Sequence, residues 1–351
     1  MTPTYISRPT IALAPHRVTT DAIVDDIRAH HPEHDRIKSI PRHLSNTTVQ
    51  SRPLSHPLDS PYTTGTAPGP ERTTQALADA VDMGVTAARQ TLAAHDLNPR
   101  EIDALITSNS VSGGILPGLD VALVNELGLR PDIRRVPLTT YACAGGVETF
   151  IQAHDHLAAR PHAKILIVIS EPLTTTFRRK NPEIQSLIFS GLFGDSAGAC
   201  LVTSQPLGPS LRIDDTWEYL LPGSTRDYYL ENDLHGPFFD SDEGSLTSVQ
   251  RSLPALREWV GDWQPDASVL HTGGPRIIET VSHALGLDDK AARHSYASLE
   301  EFGNLGGISV LDVLSRTHTE PPNDGDSVAV VGFGPGFTIN ACKGRWCAAS
   351  Y

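Results

Sequence analysis

Short apolar runs of strand length alternate with amphipathic stretches of helix length along almost the whole chain, and this alternation limits the fold more than any single motif. Ile102–Thr107, Ile133–Leu138, Lys164–Ser170 and Ala199–Thr203 read as strands in the first half. A helix is expected from Thr73 to Ala94, because Leu77, Ala80, Val81, Val85, Ala88 and Leu92 recur on one face. Further helices are expected around Val121–Leu127 and directly after Cys143. The second half repeats this order, with strands at Ala267–His271 and Ser327–Gly332 and helices at Arg276–Leu285 and after Asn304. Continuous Val/Ile/Leu strands separated by helices imply a layered α/β architecture. The likeness of the halves suggests duplication, with units at 1–207 and 208–351 divided near Pro206–Pro209. Between Arg52 and Arg72 repeated prolines remove backbone donors, so a long loop is expected there.

A formal charge of −13 argues against nucleic acid as the main partner. Local Arg or Lys residues could still hold a small anion, since salt screens the distant field. No segment approaches about eighteen uninterrupted apolar residues, and Met1–Thr20 lacks a secretory-signal pattern, so a cytoplasmic protein is expected. Cys143, Cys200, Cys342 and Cys347 form neither a disulfide framework nor a zinc-binding pair, which fits a reducing compartment.

Cys143 lies in TTYACAGGVETF, between a strand and a helix. A sulfur at a helix N-terminus is favoured as thiolate by free N–H groups and the helix dipole. The same residue could simply fill a tight turn. His271 ends the apolar strand ASVLH, the side of an α/β sheet where ligands bind, although a histidine can also cap a surface turn. Asn304, in EFGNLGG, could N-cap the following helix or aim its amide at an oxyanion. Together these residues suit thioester chemistry: Cys holds an acyl group while His and Asn donate to an enolate. Cysteine proteases use similar sets, so the residues alone leave the reaction open. Gly194-Asp195-Ser196-Ala197-Gly198 fits a serine-hydrolase elbow, but a strand-like segment follows Ser196 where a helix is required. Gly332–Phe337 (GFGPGF) lacks dinucleotide-fingerprint spacing. Gly334 and Pro335 read as a turn that lets backbone curve beside a ligand.

The segments GLRPDIRRVPL, CAGG, LFGDSAGA, HTGGPRIIE, FGNLGG and GFGPGF occur in one order along nearly the entire chain. On these segments the sequence resembles the type III polyketide synthases, the chalcone synthase-like family. The resemblance implies a five-layered αβαβα thiolase-like fold, a homodimer, and CoA thioesters as substrates with no further cofactor or metal. It implies iterative decarboxylative condensation of malonyl-CoA onto a Cys-bound starter, then cyclisation to a pyrone, resorcinol or related aromatic. Cys143 is then the nucleophile, with His271 and Asn304 as its catalytic partners. Phe193 matches a gatekeeper aromatic, and Phe239 or its neighbour Phe238 a second. Thr176, Val111, Leu230 and Gly306 fall at cavity-lining positions, Leu116 at one reaching across the dimer, and Arg42, with Lys38 nearby, at one contacting CoA phosphates. CAGG is one residue shorter than the family's usual segment. A ketoacyl synthase III-like enzyme acting once on acyl carrier protein, and a non-condensing or thioester-hydrolysing relative, are the alternatives.

Overall fold

The computed structural model describes residues 2–111, 116–288 and 290–348. The chain opens with β1 (Thr4–Ile6), β2 (Thr10–Leu13), β3 (His16–Thr19), α1 (Thr20–His30), α2 (Ile40–Ser45), β4 (Ser51–Leu54) and α3 (Pro61–Thr64). The long helix α4 (Gly69–Ala94) leads into β5 (Ala104–Ser108), α5 (Leu119–Leu127) and β6 (Arg134–Leu138). Next come α6 (Gly145–Ala159), β7 (Ile165–Glu171), α7 (Ile184–Leu192) and β8 (Ser196–Thr203). The remainder is β9 (Ser210–Leu220), the hairpin β10 (Tyr229–Asp233) and β11 (Gly236–Asp240), α8 (Ser245–Val260), β12 (Ala267–Leu270), α9 (Pro275–Ala284), α10 (Arg293–Phe302), α11 (Ile308–Thr319), β13 (Ser327–Gly334) and β14 (Thr338–Cys347).

A 10-stranded sheet in the order β12-β13-β14-β9-β1-β8-β7-β5-β6, with β2 also on β8, forms the frame. The outer pairs β12/β13, β5/β6 and β5/β7 are parallel, and β1 joins the two sides by pairing with both β8 and β9. The largest core cluster places α6 (Val147, Phe150, Leu157) and α11 (Ile308, Leu311, Leu314) between strand faces from both sides. On the outer faces, α4 and α5 cover one part of the sheet and α8, α9 and α10 the other. The stacking is helix, sheet, helices, sheet, helix: the five-layered thiolase-like arrangement.

Most expected elements are present with ends shifted by a few residues. The expected Arg52–Arg72 loop is a correction. Its residues form β4, α3 and the start of α4, because Pro61 and Pro70 fall in the first helical turn, where the missing N–H is not needed. Its two end arginines are fully buried. Arg72 donates to the carbonyls of Tyr62, His235, Thr175 and Phe177, and Arg52 to those of Val18 and Gly191. Among the described residues no helix is long and apolar enough to cross a membrane.

Candidate active site

Cys143, His271 and Asn304 come together on one cavity. Cys143 sits in a short 3-10 turn, Ala142–Ala144, that feeds directly into α6. His271 follows β12, its backbone N–H held by the Val331 carbonyl. Asn304 lies between α10 and α11, and its backbone pairs with the Phe193 segment: its N–H donates to Leu192 and its carbonyl accepts from Gly194. Thr272 Oγ1 donates to Ser309 Oγ at 2.8 Å and lies 3.3 Å from the Gly303 carbonyl, tying the His271 turn to the Asn304 segment.

The Asn304 amide has a defined orientation. Its Oδ1 accepts from the Gly306 N–H at 2.8 Å, which leaves the NH₂ end for its hydrogen bond to the Cys143 sulfur. Asn304 is therefore a donor toward the reacting centre. Gly306 supplies the partner for this amide from a left-handed φ of +63°, and its carbonyl accepts from the His271 imidazole.

Burial pushes the Cys143 thiol up to about 12, reinforced by the Glu171 carboxylate, and opposed by the Asn304 hydrogen bond. In the resting site desolvation and Glu171 therefore act against the thiolate that the helix N-terminus favours. Burial also pulls the His271 imidazole down to about 4, so it is neutral at neutral pH. Each charge alone is penalised. Proton transfer from sulfur to imidazole forms both together, and their attraction offsets part of that penalty.

Phe193 and Phe239 stand between this cavity and a smaller one. Phe239 is the second aromatic of the site, whereas Phe238, on the opposite face of β11, lies under the Arg178 guanidinium. Ser110, Val111, Ala142, Leu173, Thr176 and Leu230 line the inner cavity. Thr176 Oγ1 turns to the Leu173 carbonyl and Ser110 Oγ to Glu171, so the walls present mainly carbon. Gly334 and Pro335 line the outer cavity, as do Tyr228, Phe333 and Phe337. Phe189, Phe193, Phe239, Tyr228, Phe337 and Phe333 form a continuous chain of ring contacts with centroids 4.9 to 6.1 Å apart.

Other expected site residues lie outside these two cavities. Arg42 and Lys38 are exposed near α2. Leu116 is 89% exposed beside α5. Gly306 sits against Leu173 and Glu171, behind the Asn304 amide. Ser196 begins β8 rather than a helix, so this motif forms no serine elbow.

Sequence reasoning missed Glu171, Tyr228 and Glu148. Glu171 ends β7, fully buried, with its carboxylate accepting from the Ser110 N–H and Oγ. Burial raises it to about 7. A charged residue closing an uninterrupted apolar strand was the available signal.

Residues 54–206 match the family of chalcone and stilbene synthases, N-terminal domain, and residues 262–346 the 3-oxoacyl-[acyl-carrier-protein] synthase III C-terminal family. A 1,3,6,8-tetrahydroxynaphthalene synthase of Streptomyces griseus is 32% identical over 354 residues, covering 97% of this chain and 92% of that protein. The chain belongs to the type III polyketide synthases. A germicidin synthase from Streptomyces coelicolor, itself a type III polyketide synthase, superimposes with a TM-score of 0.92 at 31% identity, covering 99% of this chain and 100% of that one. A phloroglucinol synthase of Pseudomonas fluorescens is 28% identical, covering 97% of this chain and 98% of that protein. As a type III polyketide synthase the chain is an acyltransferase of the condensing kind.

Proposed function

We infer that this polyketide synthase loads an acyl starter from acyl-CoA onto Cys143 and extends it iteratively with malonyl-CoA. The observation that carries this reading is the Asn304 amide, fixed by Gly306 so that its donor end faces Cys143 in the cavity shared with His271.

In loading, His271 takes the Cys143 proton and the sulfur attacks the acyl-CoA carbonyl. The C–S bond to CoA breaks, and the CoA thiolate leaves with the proton from the imidazolium. The thioester on Cys143 is neutral, so the penalty of a buried sulfur anion disappears. Malonyl-CoA then loses CO₂, and the electron pair of the broken C–C bond forms an enolate. Neutral His271 has a single N–H; in the tautomer that moves this proton from the Gly306 carbonyl to the nitrogen facing the cavity, it joins the Asn304 amide in donating to that oxygen. The enolate carbon attacks the Cys143 thioester, the sulfur leaves, and a β-ketoacyl-CoA two carbons longer is ready to reload. The inner cavity between Phe193, Phe239 and Leu230 receives the growing chain, where it cyclises to a pyrone, resorcinol or related aromatic. CoA thioesters are the only small molecules this scheme needs. Arg42 is assigned to the CoA phosphates, and Leu116 to the contact with a second copy in a cytoplasmic homodimer.

The test compares wild type with Cys143→Ala, using malonyl-CoA and a panel of acyl-CoA starters with products read by mass spectrometry. Condensation by wild type and none by the variant is expected. Unchanged condensation by the variant would overturn the assignment. A preference for malonyl-acyl carrier protein over malonyl-CoA would instead favour the single-condensation alternative.

A further inference from the structure

A second buried carboxyl group lies on the other side of the nucleophile turn and plays no part in the scheme above. Glu148 is in the first turn of α6, five residues beyond Cys143, and is 1% exposed. Its Oε1 accepts from Gln152 Nε2 at 2.8 Å and its Oε2 from Asn340 Nδ2, on β14, at 2.5 Å. The Tyr141 hydroxyl, two residues before Cys143, lies between Glu148 and Glu218 of β9, and its single proton is shared between the two carboxyl groups. Between Tyr141 and Cys143 stands Ala142, whose φ of +43° is a left-handed conformation that an L side chain rarely adopts. Such a conformation persists only where surrounding contacts impose it.

We propose that Glu148 is a positioning residue for Cys143: anchored by Gln152 and Asn340, its carboxylate grips Tyr141 and holds the strained turn that aims the sulfur into the cavity. The observations fit together in three ways. Glu148 and Tyr141 flank the turn in sequence and meet in space, so their hydrogen bond closes a loop around Ala142 and Cys143. Asn340 belongs to β14, so the grip is fixed to the sheet as well as to α6. Asn340 Oδ1 is buried without a partner, so turning this amide over lets that oxygen accept a hydrogen bond from the O–H of a neutral Glu148.

The grip depends on the charge of Glu148. The acids that face it are Glu218 from β9, Asp155 from its own helix, Cys342 from β14 and Tyr141 from the turn. Burial first, then Glu218, moves the Glu148 carboxyl up to about 7. Above that pH the carboxylate accepts from all three donors; below it a proton occupies one acceptor position and the hold on Tyr141 weakens.

The experiment measures the rate at which iodoacetamide alkylates Cys143, located by peptide mass, in wild type, Glu148→Gln and Tyr141→Phe across pH. Because Gln is neutral at every pH, the wild-type to Glu148→Gln rate ratio should be near one at about pH 6 and rise to about tenfold or more by about pH 8.5. A general structural defect would give a ratio independent of pH, so a flat ratio overturns the proposal. Tyr141→Phe should lose reactivity equally at high pH, and the double variant should be no slower than either single one. Alkylation of Tyr141→Phe at the wild-type rate also overturns it. This variant removes only a hydroxyl from a half-buried ring, so it carries the test if Glu148→Gln does not fold. In turnover, both variants should lower kcat and leave the KM for malonyl-CoA unchanged. The inference rests on Cys143 as nucleophile. Alkylation uses no acyl substrate, however, so a failed condensation assay and a flat ratio are separate results.

Discussion

Gly146 of α6 and Gly307, just before α11, are in direct backbone contact: a methyl group on Gly146 would lie 2.1 Å from the Gly307 carbonyl oxygen. These are the two central helices whose leading ends carry Cys143 and Asn304. Their separation sets the distance between sulfur and amide. Gly146→Ala would also drive that methyl to 2.4 Å from Val310 Cγ2, so the helices must part. We expect a loss of about 2–3 kcal/mol in stability and slower alkylation of Cys143 in whatever folds. A thermal melt coincident with wild type would show that the contact relaxes freely.

Asn304→Ala removes the donor that faces the sulfur while leaving the cavity open. Release of CO₂ from malonyl-CoA should fall by about 10²–10³. Loading of starter on Cys143, followed by intact-protein mass, should survive better than decarboxylation. Equal loss of both steps would mean that the amide serves only to hold its loop.

The site was legible in the sequence where chemistry coincides with an element end. Cys143 precedes a helix, His271 follows a strand and Asn304 precedes a helix, so each lies where backbone groups and cavities meet. Proline content misled the reading of Arg52–Arg72, because Pro61 and Pro70 start helices and two arginines inside the stretch satisfy carbonyls from distant segments. The influences acting against the thiolate were hidden for a related reason: the helix-end effect is local and visible in sequence, whereas burial and the approach of Glu171 are not. Glu148 was hidden among the apolar positions of α6, since periodicity cannot reveal which polar residue will be enclosed.

Leu230 fills part of the inner cavity from β10, opposite Phe239 in the hairpin register. Leu230→Gly should enlarge that space without touching Cys143, His271 or Asn304. The expected result is a shift toward products at least one extension longer, read by liquid chromatography and mass spectrometry. An unchanged product profile would remove this wall from the control of chain length.

Glu171 makes stability pH-dependent in a defined direction. Its folded value, raised to about 7, lies above that of an unfolded glutamate, so the folded state binds the proton more tightly in between. This contribution is full below about pH 4.5 and lost as pH rises to about 7, roughly 3 kcal/mol in all. Urea unfolding should therefore show Glu171→Gln gaining stability relative to wild type at about pH 8, with little gain at about pH 4.5. Glu148 shifts the same way, so some slope should remain in the variant. A gain independent of pH would assign the effect to packing.

The six linked rings around the cavity have a further consequence, for how this enzyme could change over generations. Phe189, Phe193 and Phe239 touch one another pairwise, and Tyr228, Phe337 and Phe333 continue from them in series. A ring packed against its neighbours has few rotamers of its own, so replacing one alters the shapes open to the next. Substitutions in the outer and inner cavities should therefore be coupled. New product ranges should arise through coupled pairs of substitutions along this series, with single changes often costing activity before a second restores it.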